Sequence, residues 1–183
     1  NEKSADFMKV GVFSFYRPVS MDTVISPRQL QLTDEVWAEI YKLGHLDKSR
    51  AFHDYATHYL STSGQVYWSD THQLSSYVEG LDEVIDRATG SRAPGSLMIS
   101  EFYVPRPRLP EFLERAGAQI IKDKADLIYG TVRYIEKDSE TFLPWARESF
   151  ACVVMNLRVI HDDQGLEAAR KQFQNLTDIA LSM

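Results

Sequence analysis

One eleven-residue stretch near the C-terminal end, FACVVMNLRVI (Phe150 to Ile160), constrains the fold more than any other part of the chain. On a strand, successive side chains point to opposite faces, so the stretch divides into two sets. Ala151, Val153, Met155, Leu157 and Val159 are wholly apolar, whereas Cys152, Val154, Asn156 and Arg158 are mixed. A strand with one wholly apolar face must have that face covered, and helices packed on a sheet are the economical cover.

The segments before and after it supply that cover. LMISEFYV (Leu97 to Val104) and LIYGTVRYIEK (Leu127 to Lys137) read as two further strands. Between them Pro105, Pro107 and Pro110 mark the entry to a helix, where proline is tolerated only in the first turn. Its stripe is Leu109, Phe112, Leu113, Ala116 and Ile120, with Glu111 and Glu114 early, Lys122 and Lys124 late, and Gly117 as a weak spot. In the connection before Phe150, Phe142, Leu143 and Trp145 are expected to tuck inward. A last helix from Asp162 or Asp163 buries Leu166, Ala169, Phe173, Leu176 and Ile179.

The first half is looser. Residues 7–15, FMKVGVFSF, alternate enough for a strand. A helix starts at Thr33, an N-cap, with Leu32 and Trp37 as a hydrophobic staple and Asp34 and Glu35 in the first turn, and Gly44 is expected to end it. A second helix from Asp47 carries Ala51, Phe52, Tyr55, Ala56, Tyr59 and Leu60 on one stripe. Asp54 and His58 sit four apart on its other side; without a third ligand at a telling spacing, a solvated polar face is favoured over a metal. Leu74, Tyr77, Val78, Leu81, Ile85 and Ala88 mark a third helix, stopped by Gly90. The whole is α+β: one domain over residues 1–183, a mainly antiparallel sheet with helices packed on one face.

Composition bounds the function. A formal charge of -6 with Lys and Arg dispersed argues against a nucleic-acid surface. The single cysteine, Cys152, excludes an intrachain disulfide and suits a small buried strand residue in a reducing, cytoplasmic compartment. No apolar run approaches the ~20 residues that span a bilayer. The sequence begins at Asn1 and ends while a helical pattern is running, so it reads as a piece of a longer polypeptide.

Two places carry binding chemistry. In GQVYWSDTHQ (Gly64 to Gln73), Tyr67 and Trp68 stand beside Asp70 and His72. This suits a wall that holds a polar ligand against rings, or equally a short strand (Gln65 to Trp68) and a turn whose polar groups cap the next helix. The second place is the sheet face turned away from the helices, where alternation gathers Glu101, Tyr103, Tyr129, Thr131, Arg133, Asn156 and Arg158. Such a surface is either solvated and laced with ion pairs or the ceiling of a site for an oxygen-bearing small molecule. No metal site is expected.

The segments HYLSTSGQVYWSDTHQLSSYVEG (His58 to Gly80), MISEFYVPRPRLPEFLE (Met98 to Glu114) and LIYGTVRYIEKDSETFLPWARESFACVVMNLRVIH (Leu127 to His161) resemble the substrate, or cap, domain of bacterial FAD-linked oxidases of the vanillyl-alcohol oxidase and p-cresol methylhydroxylase superfamily. The resemblance runs from about Leu32 onward. It implies a cap related to ferredoxin-like folds, whose sheet covers a flavin held mainly by a FAD-binding domain of the same polypeptide, outside these 183 residues. It further implies hydride removal from an alcohol, sugar, lactone or hydroxy acid, the redox chemistry being the cofactor's. The isolated piece would then be inactive and prone to self-association. Glu101, Tyr103, Tyr129, Arg133, Asn156 and Arg158 would line the ceiling and Tyr67, Trp68, Asp70 and His72 its rim or wall, with no catalytic base assigned to any one residue. A stand-alone ferredoxin-like module that binds a ligand or dimerises without catalysis uses the same order of elements.

Overall fold

The computed structural model describes residues 4–68 and 79–183. Its elements are α1 (Asp34–Leu46), α2 (Lys48–Ser61), α3 (Leu81–Thr89), β1 (Gly95–Pro105), α4 (Leu109–Asp123), β2 (Leu127–Ile135), β3 (Phe150–Ile160) and α5 (Asp163–Leu181). The fold is α+β around a three-stranded antiparallel sheet of order β1-β3-β2. β3 runs antiparallel to both neighbours, so β1 and β2 are mutually parallel with β3 inserted between them. This split β-α-β unit, followed by β3 and α5, is the arrangement found in ferredoxin-like folds.

The apolar set of β3 sits where alternation puts it. Ala151, Val153, Met155 and Leu157 join Phe102 and Val104 of β1 and Leu127 of β2 under a stripe of α4 (Leu109, Phe112, Ala116, Ile120) and Leu176 of α5. Phe112, Ala116 and Leu157 are wholly buried. Pro110 lies in the first turn of α4, after a single 3-10 turn through Arg106–Arg108. Leu166, expected in the core, is exposed, and α5 packs through Ala169, Phe173, Leu176 and Ile179 instead. Asp162 caps α5, its carboxylate accepting from Gly165 N at 2.7 Å.

The opposite face is partly covered too. α1 begins as expected, Thr33 Oγ1 accepting from Val36 N, but it runs through Gly44 to Leu46. The reason is tertiary: a Cβ at Gly44 would lie 3.0 Å from the Ile128 side chain, so this glycine serves close helix–strand approach. Asp47 both closes α1, through its N–H to Leu43 O, and opens α2, its carboxylate accepting from Arg50 N. On α2 the expected stripe narrows, since Phe52 and Leu60 are exposed while Ala51 is buried. Gly90 stops α3 in a left-handed C-cap.

Three further expectations are corrected. Residues 7–15 form no strand, because no ladder accepts them; the chain turns at Met8, in a positive-φ conformation, and Phe7 and Met8 pack in the space that Gly117 leaves on α4. Gln65 to Trp68 are not a strand either. Side chains tie them to the loop before α1 instead: Gln65 Oε1 accepts from Leu30 N, Gln65 Nε2 donates to Leu30 O, and Gln29 Nε2 donates to Val66 O. Phe142 and Leu143 point outward, because Asp138 accepts from the backbone of Glu140 and Thr141 and turns the loop tip away from the sheet. Ala146 fills the inward place.

Candidate functional site

The register sets the second sheet face in rows. Tyr103, Cys152 and Arg133 form one, Glu101, Val154 and Thr131 the next, and Ile99, Asn156 and Tyr129 the third. A bulge at Leu127/Tyr129 keeps Tyr129 in phase with Asn156 after Leu127 has paired with Leu157 on the core side. Six of the residues expected on this face therefore share it in space.

At one end of the face Tyr103 donates its hydroxyl proton to Glu101 Oε2 at 2.7 Å. That bond holds the phenol well above its ordinary pKa, burial adding to it, because ionising it would set two anions together. Trp145 packs edge-on against Tyr103 at 5.1 Å and lies parallel to Phe150 at 6.4 Å, so it walls this end without being buried. Arg133, exposed beside them, makes no salt bridge among the described residues. Cys152, between Tyr103 and Arg133, is buried, and burial pushes its thiol up.

At the other end α1 meets the face and leaves Tyr129 partly exposed. Tyr129 meets Tyr41 of α1 edge-on at 5.9 Å, and burial first, then the Tyr129 phenol, raises the Tyr41 hydroxyl. From Tyr41 an aromatic ladder continues through Trp37 to Tyr55 and Tyr59, tying α1 and α2 to the sheet. Asn156 is 1% exposed, and neither its amide nitrogen nor its oxygen has a hydrogen-bond partner among the described residues. An unpaired buried amide is costly, so this position has hydrogen-bonding capacity to give to a water or ligand.

Arg158 is placed differently from a ligand contact. Its guanidinium is buried and donates to Asp82 at 2.7 Å and to Asp86, both on α3. It therefore clamps α3 onto β3. Sequence patterning identified the arginine but not these carboxylates, because the i, i+4 pair Asp82 and Asp86 reads as solvated when α3 is considered alone. His45, at the end of α1, donates from Nδ1 to Tyr41 O at 2.8 Å, while its buried Nε2 has no partner among the described residues.

The other predicted stretch is only partly described. Tyr67 accepts from Gln65 Nε2 at 2.7 Å, and Trp68 is exposed. Asp70 and His72, with Leu74, Tyr77 and Val78, lie outside the described residues, and the helix expected from Leu74 to Ala88 is not continuous, because Gly80 stands in the left-handed conformation and α3 begins only at Leu81. A groove of about 330 Å³ between α1 and α2 is lined by Val36, Ile40 and Leu43 on one side and by Asp54, Thr57 and His58 on the other. Among the described residues no group of three or more His, Cys, Asp or Glu side chains could hold a metal, and no helix is long and apolar enough to cross a membrane.

Comparison with protein-family models, curated proteins and solved structures returns no match for this chain.

Proposed function

We propose that this chain is the substrate-covering domain of a cytoplasmic FAD-dependent oxidoreductase acting on an alcohol, sugar, lactone or hydroxy acid. The observation that carries the reading is one surface: an exposed guanidinium, Arg133, with no carboxylate partner among the described residues, in the row of Tyr103, whose hydroxyl is itself held by Glu101. A free planar cation beside an oriented phenol and a carboxylate is suited to gripping a hydroxyl- or carbonyl-bearing carbon. The resemblance of the Met98–Glu114 and Leu127–His161 segments to flavin-covering caps points the same way.

In this reading FAD, held mainly by another domain of the same polypeptide, supplies the hydride acceptor. The face described above fits substrate rather than the cofactor's phosphates, since the Glu101 carboxylate would repel a pyrophosphate. Arg133 donates to a substrate oxygen, and Glu101 orients Tyr103 and can accept from a substrate hydroxyl. Trp145 and Tyr129 bound the space with rings, and Asn156, in the row of Tyr129, lies buried behind the face. Arg158 acts at one remove, by holding α3 against the sheet. Tyr67, Trp68, Asp70 and His72 remain the proposed rim.

The test uses the full-length polypeptide that carries this chain. Under anaerobic conditions, flavin absorption is followed while alditols, sugars, lactones and hydroxy acids are added in turn. The reading expects bleaching by at least one class and its loss in Arg133→Ala or Tyr103→Phe with the fold intact. A full-length protein without flavin, or bleaching untouched by both substitutions, would overturn it. A second reading, a ferredoxin-like binding or dimerisation module without catalysis, is favoured by a separate observation, the open edge of β2.

A further inference from the structure

We infer that β2 is a dimerisation edge. Two copies of the chain join β2 to β2, antiparallel, across a two-fold axis at Thr131, so that three strands from each continue as one sheet.

β2 is the outermost strand on its side, with β3 on one flank and no strand on the other among the described residues. Every residue from Tyr129 to Tyr134 is exposed, so beyond the contact of Tyr129 with Tyr41 of α1 both faces of the strand are open. α4 and α5 do not bury this side of the sheet, and Val132 and Tyr134 remain 44% and 59% exposed on the very face that forms the core over β3. Edge strands are ordinarily blunted by proline, lysine, short length or a covering loop. β2 has nine residues, no proline and no lysine, and its one bulge lies at its beginning. β1, the other edge, ends in Pro105, which has no N–H to offer a further strand.

The strand's own sequence selects a second copy as the occupant. With the axis at Thr131, Tyr129 of each copy falls opposite Arg133 of the other, and Gly130 falls opposite Val132. The only charge on β2 thus meets an aromatic ring twice, once on each side of the axis, which is a favourable cation–π arrangement. The larger Val132 side chain fills the space left by Gly130. An axis at Arg133 would instead set two guanidinium groups face to face, which cross-strand pairing disfavours. Because paired residues in an antiparallel ladder share a face, the polar faces of both copies lie on one side of the joined sheet. The inference stands on the edge and its register and does not depend on the oxidase reading.

The experiment is sedimentation equilibrium of the 183-residue chain over a range of concentrations, with Thr131→Lys and Thr131→Glu variants alone and mixed. The expected result is a mass twice that of one chain at high concentration, falling on dilution. Each variant alone should sediment as a single chain with an unchanged circular dichroism spectrum, since like charges then face each other at the axis. An equimolar mixture of the two should recover the dimer. A wild-type chain that stays single, a Thr131→Lys dimer, a mixture that stays single, or open-ended larger assemblies would each overturn the inference. So would loss of the dimer on Ile99→Lys with Thr131→Lys unaffected, which would place the contact on β1. Should the charged variants unfold, Thr131→Cys decides: mild oxidation must cross-link two copies, whereas Arg133→Cys alone must not. Failure of either requirement refutes the register.

Discussion

Replacing Arg158 by Met removes the clamp between α3 and the sheet while leaving most of the side-chain stem in place. The side chain is 5% exposed and contacts two carboxylates, Asp82 at 50% exposure and Asp86 at 19%. At ~3 Å and an effective dielectric of about 20, each contact is worth roughly 5 kcal/mol before desolvation. Desolvation of the guanidinium offsets several kcal/mol of that, and the half-exposed Asp82 contact is screened to roughly 1 kcal/mol or less. What remains after the substitution is Asp86, mostly buried and held, among the described residues, by the Gly95 N–H at 3.2 Å. Breaking such a pair costs about 3–5 kcal/mol, much of it from the abandoned charge. Urea unfolding followed by the fluorescence of the three tryptophans measures the loss. With a slope of about 2 kcal/mol per molar, the midpoint falls by roughly 2 M. Asp86→Asn must cost more than Asp82→Asn, and Arg158→Met with Asp86→Asn must cost less than the sum of the two alone. A loss below about 1 kcal/mol for Arg158→Met, or equal losses at Asp82 and Asp86, would refute the reasoning.

Gly165→Ala is expected to destabilise by about 1–3 kcal/mol in the same assay, because the added Cβ runs into the Ile160 carbonyl oxygen, a backbone atom that cannot step aside. Burial holds the His45 imidazole below its ordinary pKa, so the unfolded chain takes up this proton at a higher pH than the folded chain does. Stability on this account is full above the ordinary histidine range and declines as pH falls through and below it; His45→Phe should flatten that part of a pH–stability profile. Phe112→Ala, at a wholly buried ring, should cost about 3–5 kcal/mol. Phe142→Ala, at the exposed loop tip, should stay within about 0.5 kcal/mol.

What could be read from the sequence was whatever depended on one element at a time. The two sets of Phe150–Ile160, the Thr33 cap, the stripe of α4 and the Gly90 stop depend on local periodicity and capping, and all stand in the structure. What could not be read depended on a partner. Gly44 looks like a helix stop until Ile128 is set against it, and residues 7–15 look like a strand until no ladder is found for them. The same holds for the candidate face. Alternation placed Glu101, Tyr103, Tyr129, Arg133 and Asn156 together correctly, but only the register aligns Tyr103 with Arg133. Only α3 shows that Arg158 is engaged, and only α1 that Tyr129 meets Tyr41. Gln65, which ties its loop to Leu30, gave no signal, because a glutamine that replaces a strand partner has no periodicity.

Arg133 and Val132 are neighbours on β2 whose side chains leave opposite faces of the sheet, which makes them a matched pair for the central claim. In the full-length polypeptide, the anaerobic rate of flavin reduction by a bleaching substrate is measured by stopped flow for Arg133→Ala and Val132→Ala. The account predicts a fall of at least about tenfold for Arg133→Ala, the loss of one charged contact to substrate, and an unchanged rate for Val132→Ala. Equal rates in the two variants, or a greater loss at Val132, would contradict a substrate-facing role for this side of the sheet.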